Sequence, residues 1–198
     1  MLEKIEVLKP KKETLNGTTL YGDVQELYAE ERKNYTVIGT YVHAVYKPIN
    51  SEDIVQLKKE IPLLTDDYLS FLNKYNGLNL FSDSFCLYGY GRILSNGKYI
   101  TSRDPSIVLP YHLGDYNKGV RNIYIIGTFC ECKLLNDVDN NCYLLFDKNN
   151  VTIFQWDNIQ SLIMDCIDKL SCYYCANGKV KAPNIIGNLI FNKTTKLI

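Results

Sequence analysis

Residues 61–77 read Ile61-Pro-Leu-Leu-Thr-Asp-Asp-Tyr-Leu-Ser-Phe-Leu-Asn-Lys-Tyr-Asn-Gly77, and they contain signals for both ends of a short helix. Thr65 is an N-cap candidate, and two aspartates follow it in the first turn, where carboxylates favour the positive end of a helix. Asn76-Gly77 predicts the end of the helix, because glycine adopts the left-handed conformation without a Cβ penalty. The apolar face between these signals consists of Tyr68, Leu69, Phe71, Leu72 and Tyr75. The sequence therefore predicts a helix that anchors a core and then turns sharply towards residues 78–81.

The chain before this helix predicts one further helix and a strand. Ser51 is a candidate cap, and apolar residues recur at helical spacing after it until Pro62 ends the pattern. Residues 35–46 are rich in β-branched and aromatic side chains, which favours a strand or hairpin. Residues 1–33 are polar and weakly patterned, and we expect one short helix in them, from Asp23 to Lys33.

The chain after Gly77 has mainly the patterns of strands. Residues 84–91 predict a strand whose glycines mark a bulge or a close approach of two backbones. Residues 92–121 show no sustained periodicity, and so long a connection in a compact domain is often functional. An antiparallel meander of three strands is predicted at 123–129, 142–146 and 151–155, with a loop over 136–141 and a turn over 147–150.

The clearest helix signal lies near the C-terminus. Asp157, followed by Gln160 three residues later, has the form of a capping box. Apolar residues then recur with helical periodicity at Ile159, Leu162, Ile163, Cys166, Ile167 and Leu170. Helices before a sheet and a final amphipathic helix after it predict an α+β fold, mainly an antiparallel sheet packed against helices.

Composition narrows the class of protein. The chain has 198 residues, 46% of them hydrophobic, which is enough for one continuous core. Because 22 basic and 22 acidic residues give zero formal net charge, the overall field offers no general attraction to nucleic acid or to anionic lipid. No run of about 18 apolar residues and no secretion signal is visible. We therefore expect a cytoplasmic protein with reduced thiols and with neither a nucleic acid nor a membrane as its partner.

The residues that could carry catalysis form no known catalytic motif. The two histidines are His43, expected to face solvent or to be hydrogen-bonded on a strand, and His112, in the irregular stretch. Gly89-Tyr-Gly91 lacks the third glycine and the following helix of a dinucleotide loop. Four cysteines could in principle hold zinc: Cys130, Cys132, Cys172 and Cys175. The first pair, however, is spaced by one residue and lies on a predicted strand. We expect no enzyme, no metal and no cofactor, with a hydrolase that uses a cysteine or His112 as the minor alternative.

The charged and aromatic residues suggest possible binding surfaces, but each group also has an ordinary structural explanation. Residues 131–168 hold seven carboxylates and two lysines, whereas Lys169 and the residues after it hold five lysines and no carboxylate. Such runs either keep a surface solvated or form an acidic patch for a basic partner. The sixteen tyrosines are likewise either interface residues or half-buried residues of the sheet.

The order of motifs resembles the SUKH superfamily, the group of the fungal cell-wall-synthesis regulator and of bacterial toxin-immunity proteins. Its pattern of a Pro, an acidic-Tyr pair, a Phe-Leu pair and Asn-Gly is matched by Pro62, Asp67-Tyr68, Phe71-Leu72 and Asn76-Gly77. The similarity continues through Leu87-Tyr88-Gly89 and Ile125-Ile126-Gly127 and covers residues 48–172. Two positions depart from the family pattern, since Ile61 precedes the proline and Leu78 follows Asn-Gly. Eight residues form the expected fold signature: Pro62, Tyr68, Phe71, Leu72, Asn76, Gly77, Gly89 and Gly127.

The resemblance implies a non-catalytic domain at 48–172 that binds another protein, flanked by an N-terminal extension at 1–47 and a basic C-terminal extension at 173–198. The expected function is that of an immunity protein that binds and neutralises a cognate toxin domain. The alternative is a regulatory scaffold or a viral host-antagonist domain of the same fold. From their own placement and chemistry, six residues are predicted to contact the partner: Tyr88, Tyr90, Arg92, Tyr111, Asp137 and Asp139. The sequence indicates neither the oligomeric state nor the identity of the partner.

Overall fold

The computed structural model describes residues 43–81, 83–90 and 122–173, together with the backbones of short strands at 12–15, 18–21, 94–95, 98–99 and 114–115. Its helices are α1 (Ser51–Glu60), α2 (Asp66–Lys74) and α3 (Ile159–Ser171). Its strands are β1 (Lys12–Leu15), β2 (Thr18–Tyr21), β3 (His43–Val45), β4 (Leu78–Leu80), β5 (Phe85–Leu87), β6 (Leu94–Ser95), β7 (Lys98–Tyr99), β8 (Gly114–Asp115), β9 (Ile123–Phe129), β10 (Cys132–Asp137), β11 (Cys142–Phe146) and β12 (Thr152–Trp156).

The strands form one large antiparallel sheet. Its order is β1-β2-β3-β4-β5-β9-β10-β11-β12, and β8 pairs with β9 beside this path. Strands β6 and β7 pair separately. The prediction of an α+β fold with a mainly antiparallel sheet is confirmed.

Helix α1 begins one residue away from the expected cap. Asn50 caps the helix instead of Ser51: its Oδ1 accepts a hydrogen bond from the Asp53 N–H at 2.7 Å, and its amide donates to the Asp53 carboxylate at 2.7 Å. The helix ends at Glu60, just before Pro62, as the proline predicts.

Helix α2 has the predicted cap and core face. The Thr65 hydroxyl accepts a hydrogen bond from the Tyr68 N–H, and Tyr68, Phe71 and Leu72 are buried. The helix ends at Lys74, two residues before Asn76-Gly77. Gly77 then has a φ of 101°, the left-handed backbone that its position at the turn into β4 required.

Helix α3 buries the six apolar residues that its periodicity selects. It begins at Ile159, and its cap is Asn158 instead of Asp157. The Asn158 backbone is extended, and its side chain accepts a hydrogen bond from the Ser161 N–H at 2.8 Å. The expected capping box is therefore wrong by one residue.

The C-terminal meander has four strands, not three. Strand β10 lies between the predicted strands, and residues Asn136 and Asp137, which were expected in a loop, form its buried end. Cys130 and Cys132 do not share a strand, because Cys130 lies with a φ of 52° in the turn between β9 and β10. The turn over 147–150 is confirmed, and it closes with a hydrogen bond from the Asn150 N–H to the Asp147 carbonyl at 3.0 Å.

The core lies mainly between the helices and one face of the sheet. Leu57 of α1, Tyr68 and Leu72 of α2, and Leu162 and Ile167 of α3 pack there in one cluster with sheet residues such as Phe129, Leu134 and Leu145. A second cluster contains strand residues that alternate with these: Ile123, Leu135, Cys142, Leu144 and Phe146. The sheet is thus apolar on both faces along β9, β10 and β11.

Several expectations fall outside the described residues. These include the helix from Asp23 to Lys33, residues 35–42 of the predicted strand, His112, and the chain after Tyr173. Strands β1 and β2 were not predicted, and they pair in series with β3. The domain boundaries remain predictions. Within the part of the chain that the structure describes, no helix is both long enough and apolar enough to cross a membrane.

Candidate partner-binding site

The first turn of α2 is fastened to the meander and to α3 by the Asp67 carboxylate. Asp67 Oδ2 accepts hydrogen bonds from the Tyr143 hydroxyl at 2.9 Å and from the Ile159 N–H at 2.7 Å. The neighbouring Thr65 hydroxyl donates to Asn136 Oδ1 at 3.1 Å. Asp67 therefore joins α2, β11 and the start of α3 through one carboxylate, which explains the acidic residue of the Asp67-Tyr68 pair.

Two residues of the fold signature, Tyr68 and Asn76, also have hydrogen-bond partners inside the fold. The Tyr68 hydroxyl donates to the Tyr88 carbonyl at 2.6 Å. The Asn76 side chain brackets the Tyr90 backbone, donating to its carbonyl at 2.6 Å and accepting from its N–H at 2.7 Å. The Asn76 amide thus makes the hydrogen bonds to the Tyr90 backbone that a neighbouring strand would otherwise make.

Two signature glycines allow backbones to approach closely. A Cβ on Gly89 would lie 2.1 Å from the Asn76 carbonyl oxygen, and a Cβ on Gly127 would lie 2.0 Å from the Cys86 carbonyl oxygen. The close approach expected at Gly89 is confirmed. Because Tyr68, Asn76, Gly89 and Gly127 serve internal packing and hydrogen bonding, these four residues define the fold and leave a binding role to other residues.

An open groove of about 520 Å³ lies at the end of the sheet where β10 turns into β11. One wall is the α1–α2 loop with the first turn of α2, and the other is the β10–β11 loop. We call it the loop groove, and its lining residues are Pro62, Leu63, Leu64, Thr65, Asp66, Asp67, Val138 and Asn141.

The loop groove combines apolar surface with negative charge. Leu63 is 48% exposed, one of three large hydrophobic side chains with such exposure in the described residues, beside Val55 and Val151. Asp66 is exposed, and within the described ranges no ion pair or side-chain hydrogen bond occupies its carboxylate. None of the eight lining residues is a lysine, an arginine or a histidine.

The six residues predicted to contact a partner do not all present their side chains on one surface. Tyr90 is only 2% exposed and Asp137 only 1%, so these two side chains are buried, and their contact with a partner stays a prediction. The Asp137 carboxylate instead accepts hydrogen bonds from the Asn140 backbone at 3.2 Å and side chain at 2.8 Å, which shapes the β10–β11 loop. Tyr88 is half-buried, and burial raises the pKa of its hydroxyl.

Asp139 is the predicted residue that stands exposed beside the loop groove. Its two carboxylate oxygens accept hydrogen bonds at 2.9 Å from the Asn122 N–H and side-chain amide, which holds the start of β9. Arg92 and Tyr111 lie outside the described residues. Leu63 and Asp66 were not predicted from the sequence as candidates for binding. The available signal was an apolar residue directly after Pro62, in a linker between two helices.

The titratable groups of the core are not prepared for nucleophilic chemistry. Burial raises the pKa of the Cys86 thiol to about 12 and that of Cys130 to about 11, and it also raises the pKa values of Cys132 and Cys166. These thiols are protonated near neutral pH, whereas a nucleophilic cysteine needs a lowered pKa. His43 is buried, and its Nδ1 accepts a hydrogen bond from the Phe81 N–H at 3.2 Å, which confirms the hydrogen-bonded alternative and not the solvent-facing one. No group of three or more potential metal ligands occurs among the described residues.

Comparisons of the chain with protein-family models, with curated proteins and with solved structures gave no match. Function is therefore inferred from the residues and contacts of the chain itself, together with the resemblance in motif order.

Proposed function

We propose that this chain is a non-catalytic protein-binding domain of the immunity type, which neutralises a cognate toxin by covering its active surface. The resemblance to the SUKH superfamily suggests this class of function. The α+β fold, with its helices on an antiparallel sheet, is compatible with it.

The observation that carries the proposal is the exposed surface of the loop groove. Asp67 lines the groove, but like Tyr68 and Asn76 it uses polar atoms on partners within the domain. Leu63 and Asp66 in the same groove instead expose an aliphatic side chain and a carboxylate that the described residues leave unpaired. Exposed apolar surface bordered by polar groups is typical of sites that bind other proteins.

A hydrolase is less well supported. The raised pKa values of Cys86, Cys130, Cys132 and Cys166 oppose thiolate formation at these four positions. The buried His43 ring accepts a backbone hydrogen bond, a structural role that leaves little room for proton transfer with a substrate.

Occlusion of a toxin needs a larger surface than the loop groove alone. A stable complex usually buries about 800 Å² on each partner, from some 20–30 residues. We therefore expect the toxin to contact the groove at the centre and the exposed loops around it at the rim. Asp139 is an exposed residue on the β10–β11 loop, which forms one wall of the groove.

The experiment is affinity purification of the full chain from its native cell, followed by a growth assay with the captured protein. Expression of that protein alone should arrest growth, and co-expression of the full chain should restore it. A captured protein that is harmless when expressed alone would contradict neutralisation and favour the regulatory-scaffold alternative. If no protein is captured, the binding function itself is contradicted.

A further inference from the structure

We propose that the loop groove binds a partner-protein segment that presents a basic side chain, arginine in preference to lysine, beside an apolar residue. This inference rests on the proposed function and states which chemistry of the partner the groove recognises. It concerns a protein segment, because the chain's zero net charge provides no general field for a nucleic acid or a lipid surface.

The apolar half of this site is the surface of Leu63 with Pro62 and Val138. Leu63 and Pro62 are exposed and Val138 is partly exposed, and these three residues lie on opposite walls of the same groove. An aliphatic side chain, or the methylene stem of an arginine, can lie between the walls and remove this surface from water.

The polar half is the pair of carboxylates in the first turn of α2. Asp67 is held in place by Tyr143 and Ile159, whereas Asp66 is exposed and available to a ligand. Asn141 lies opposite, and the described lining residues include no cation, so this part of the groove disfavours an acidic ligand and favours a cationic one. Guanidinium is the better match because its flat fork of N–H donors can bind a carboxylate with two hydrogen bonds while its face lies on apolar surface.

The size of the groove agrees with such a ligand. A volume of about 520 Å³ lies in the range of sites that take a small molecule or a few side chains. It is too small for a whole secondary-structure element of the partner. The groove is therefore the anchoring pocket within a larger interface.

The first test needs no knowledge of the partner. The full chain, labelled with ¹⁵N, is titrated with the capped peptide acetyl-Leu-Arg-Leu-amide, and the same peptide with Glu in place of Arg serves as the control. Amide resonances of residues 63–67 and 138–141 should shift with the Arg peptide and not with the Glu peptide. Asp66→Asn should raise the Kd of the Arg peptide about threefold, the size expected for one exposed charge pair.

Three results of this titration would overturn the proposal. The first is equal shifts with both peptides, and the second is shifts confined to other parts of the chain. The third is the absence of any shift at the highest peptide concentration that stays in solution. Amide shifts of residues 63–67 that depend on protein concentration without peptide would also overturn it, because the occupant would then be a second copy of the chain.

The second test uses the captured partner and two matched pairs of variants. Asp66→Lys is compared with Glu52→Lys, since both residues are exposed carboxylates in the first turn of a helix, but only Asp66 lines the groove. Leu63→Ser is compared with Val55→Ser, another exposed aliphatic side chain that does not line it. The groove variants should weaken binding by about fivefold for the charge and tenfold for the leucine, and the controls should bind like the parent.

The outcomes of the second test separate the two proposals. If the partner binds the groove variants as tightly as the parent chain, the groove inference fails while protein binding stands. If the partner binds but is no toxin, the immunity function fails while the groove inference remains supported by the weakened variants.

Discussion

At the residue scale, Gly89 shows how close backbone contact restricts the sequence. An added Cβ would collide with the Asn76 carbonyl, which cannot move without breaking the bracket on Tyr90. We expect Gly89→Ala to lower the free energy of unfolding by about 2 kcal/mol or more. Urea unfolding followed by circular dichroism measures it, with Ser70→Ala on the exposed side of α2 as a control that should cost nothing. An unchanged midpoint for Gly89→Ala would show that the two backbones are not in this contact.

Gly77 is restricted by its backbone angle instead of by a neighbour. Its φ of 101° is a conformation that a β-branched residue adopts only with strain. Gly77→Val should therefore lower the free energy of unfolding by more than about 1 kcal/mol. The same urea experiment tests this, and a neutral result would contradict the left-handed turn between α2 and β4.

At the scale of elements, the Asp67 carboxylate connects three of them, and its neighbour Asp66 provides a matched control. Asp67→Ala would leave the Tyr143 hydroxyl and the Ile159 N–H without their acceptor, so we expect a loss of about 2 kcal/mol or more. Asp66→Ala removes the other first-turn carboxylate and should cost less than about 1 kcal/mol, the worth of its interaction with the helix dipole. Equal losses in chemical denaturation would mean that Asp67 acts only through the dipole.

The elements differ in how far the sequence could predict them. Strand β9 and the buried face of α3 follow from short-range periodicity, which is visible in a single sequence. Strand β10 was missed because Asn136 and Asp137 have the polarity of a loop. Asn136 is tolerated inside because its amide donates to the Cys142 carbonyl and its oxygen accepts from Thr65, a residue 71 positions away. Such a partner is not visible in the local pattern.

The helix caps and the loop groove show two further reasons why the sequence could not predict every feature. At 50–51 and at 157–158 two adjacent residues could each cap a helix, and only the backbone geometry selects one of them. The loop groove is formed by residues 62–67 and by residues 138 and 141, which approach each other only through the sheet and the Asp67 contacts. Its exposed leucine, Leu63, lies outside every periodic pattern.

At the scale of the whole molecule, the buried thiols make stability depend on alkaline pH. Burial raises the pKa of Cys86 from 9.0 to about 12, so the folded state keeps its proton where the unfolded chain loses it. This contribution to stability is fully present below pH 9 and is lost as the pH rises from 9 towards 12, by about 1 kcal/mol per pH unit within that window.

The measurement is the free energy of unfolding in urea between pH 8 and pH 11, in the presence of a reducing agent. Cys86→Ala should show a weaker decline than the parent chain, whereas Cys172→Ala, which changes an exposed thiol, should follow the parent. Parallel curves for the parent and Cys86→Ala would show that the Cys86 thiol does not contribute to the decline.

The contacts at Tyr90 and Asn122 have a consequence for changes of sequence between them. Each of these two residues is held by a side chain outside residues 91–121: the Asn76 amide brackets the Tyr90 backbone, and the Asp139 carboxylate accepts hydrogen bonds from Asn122. Within the described sheet, residues 91–121 contribute the pairing of β8 with β9. Both anchors thus belong to the frame of the domain, and their hydrogen bonds do not depend on which side chains occupy positions 91–121.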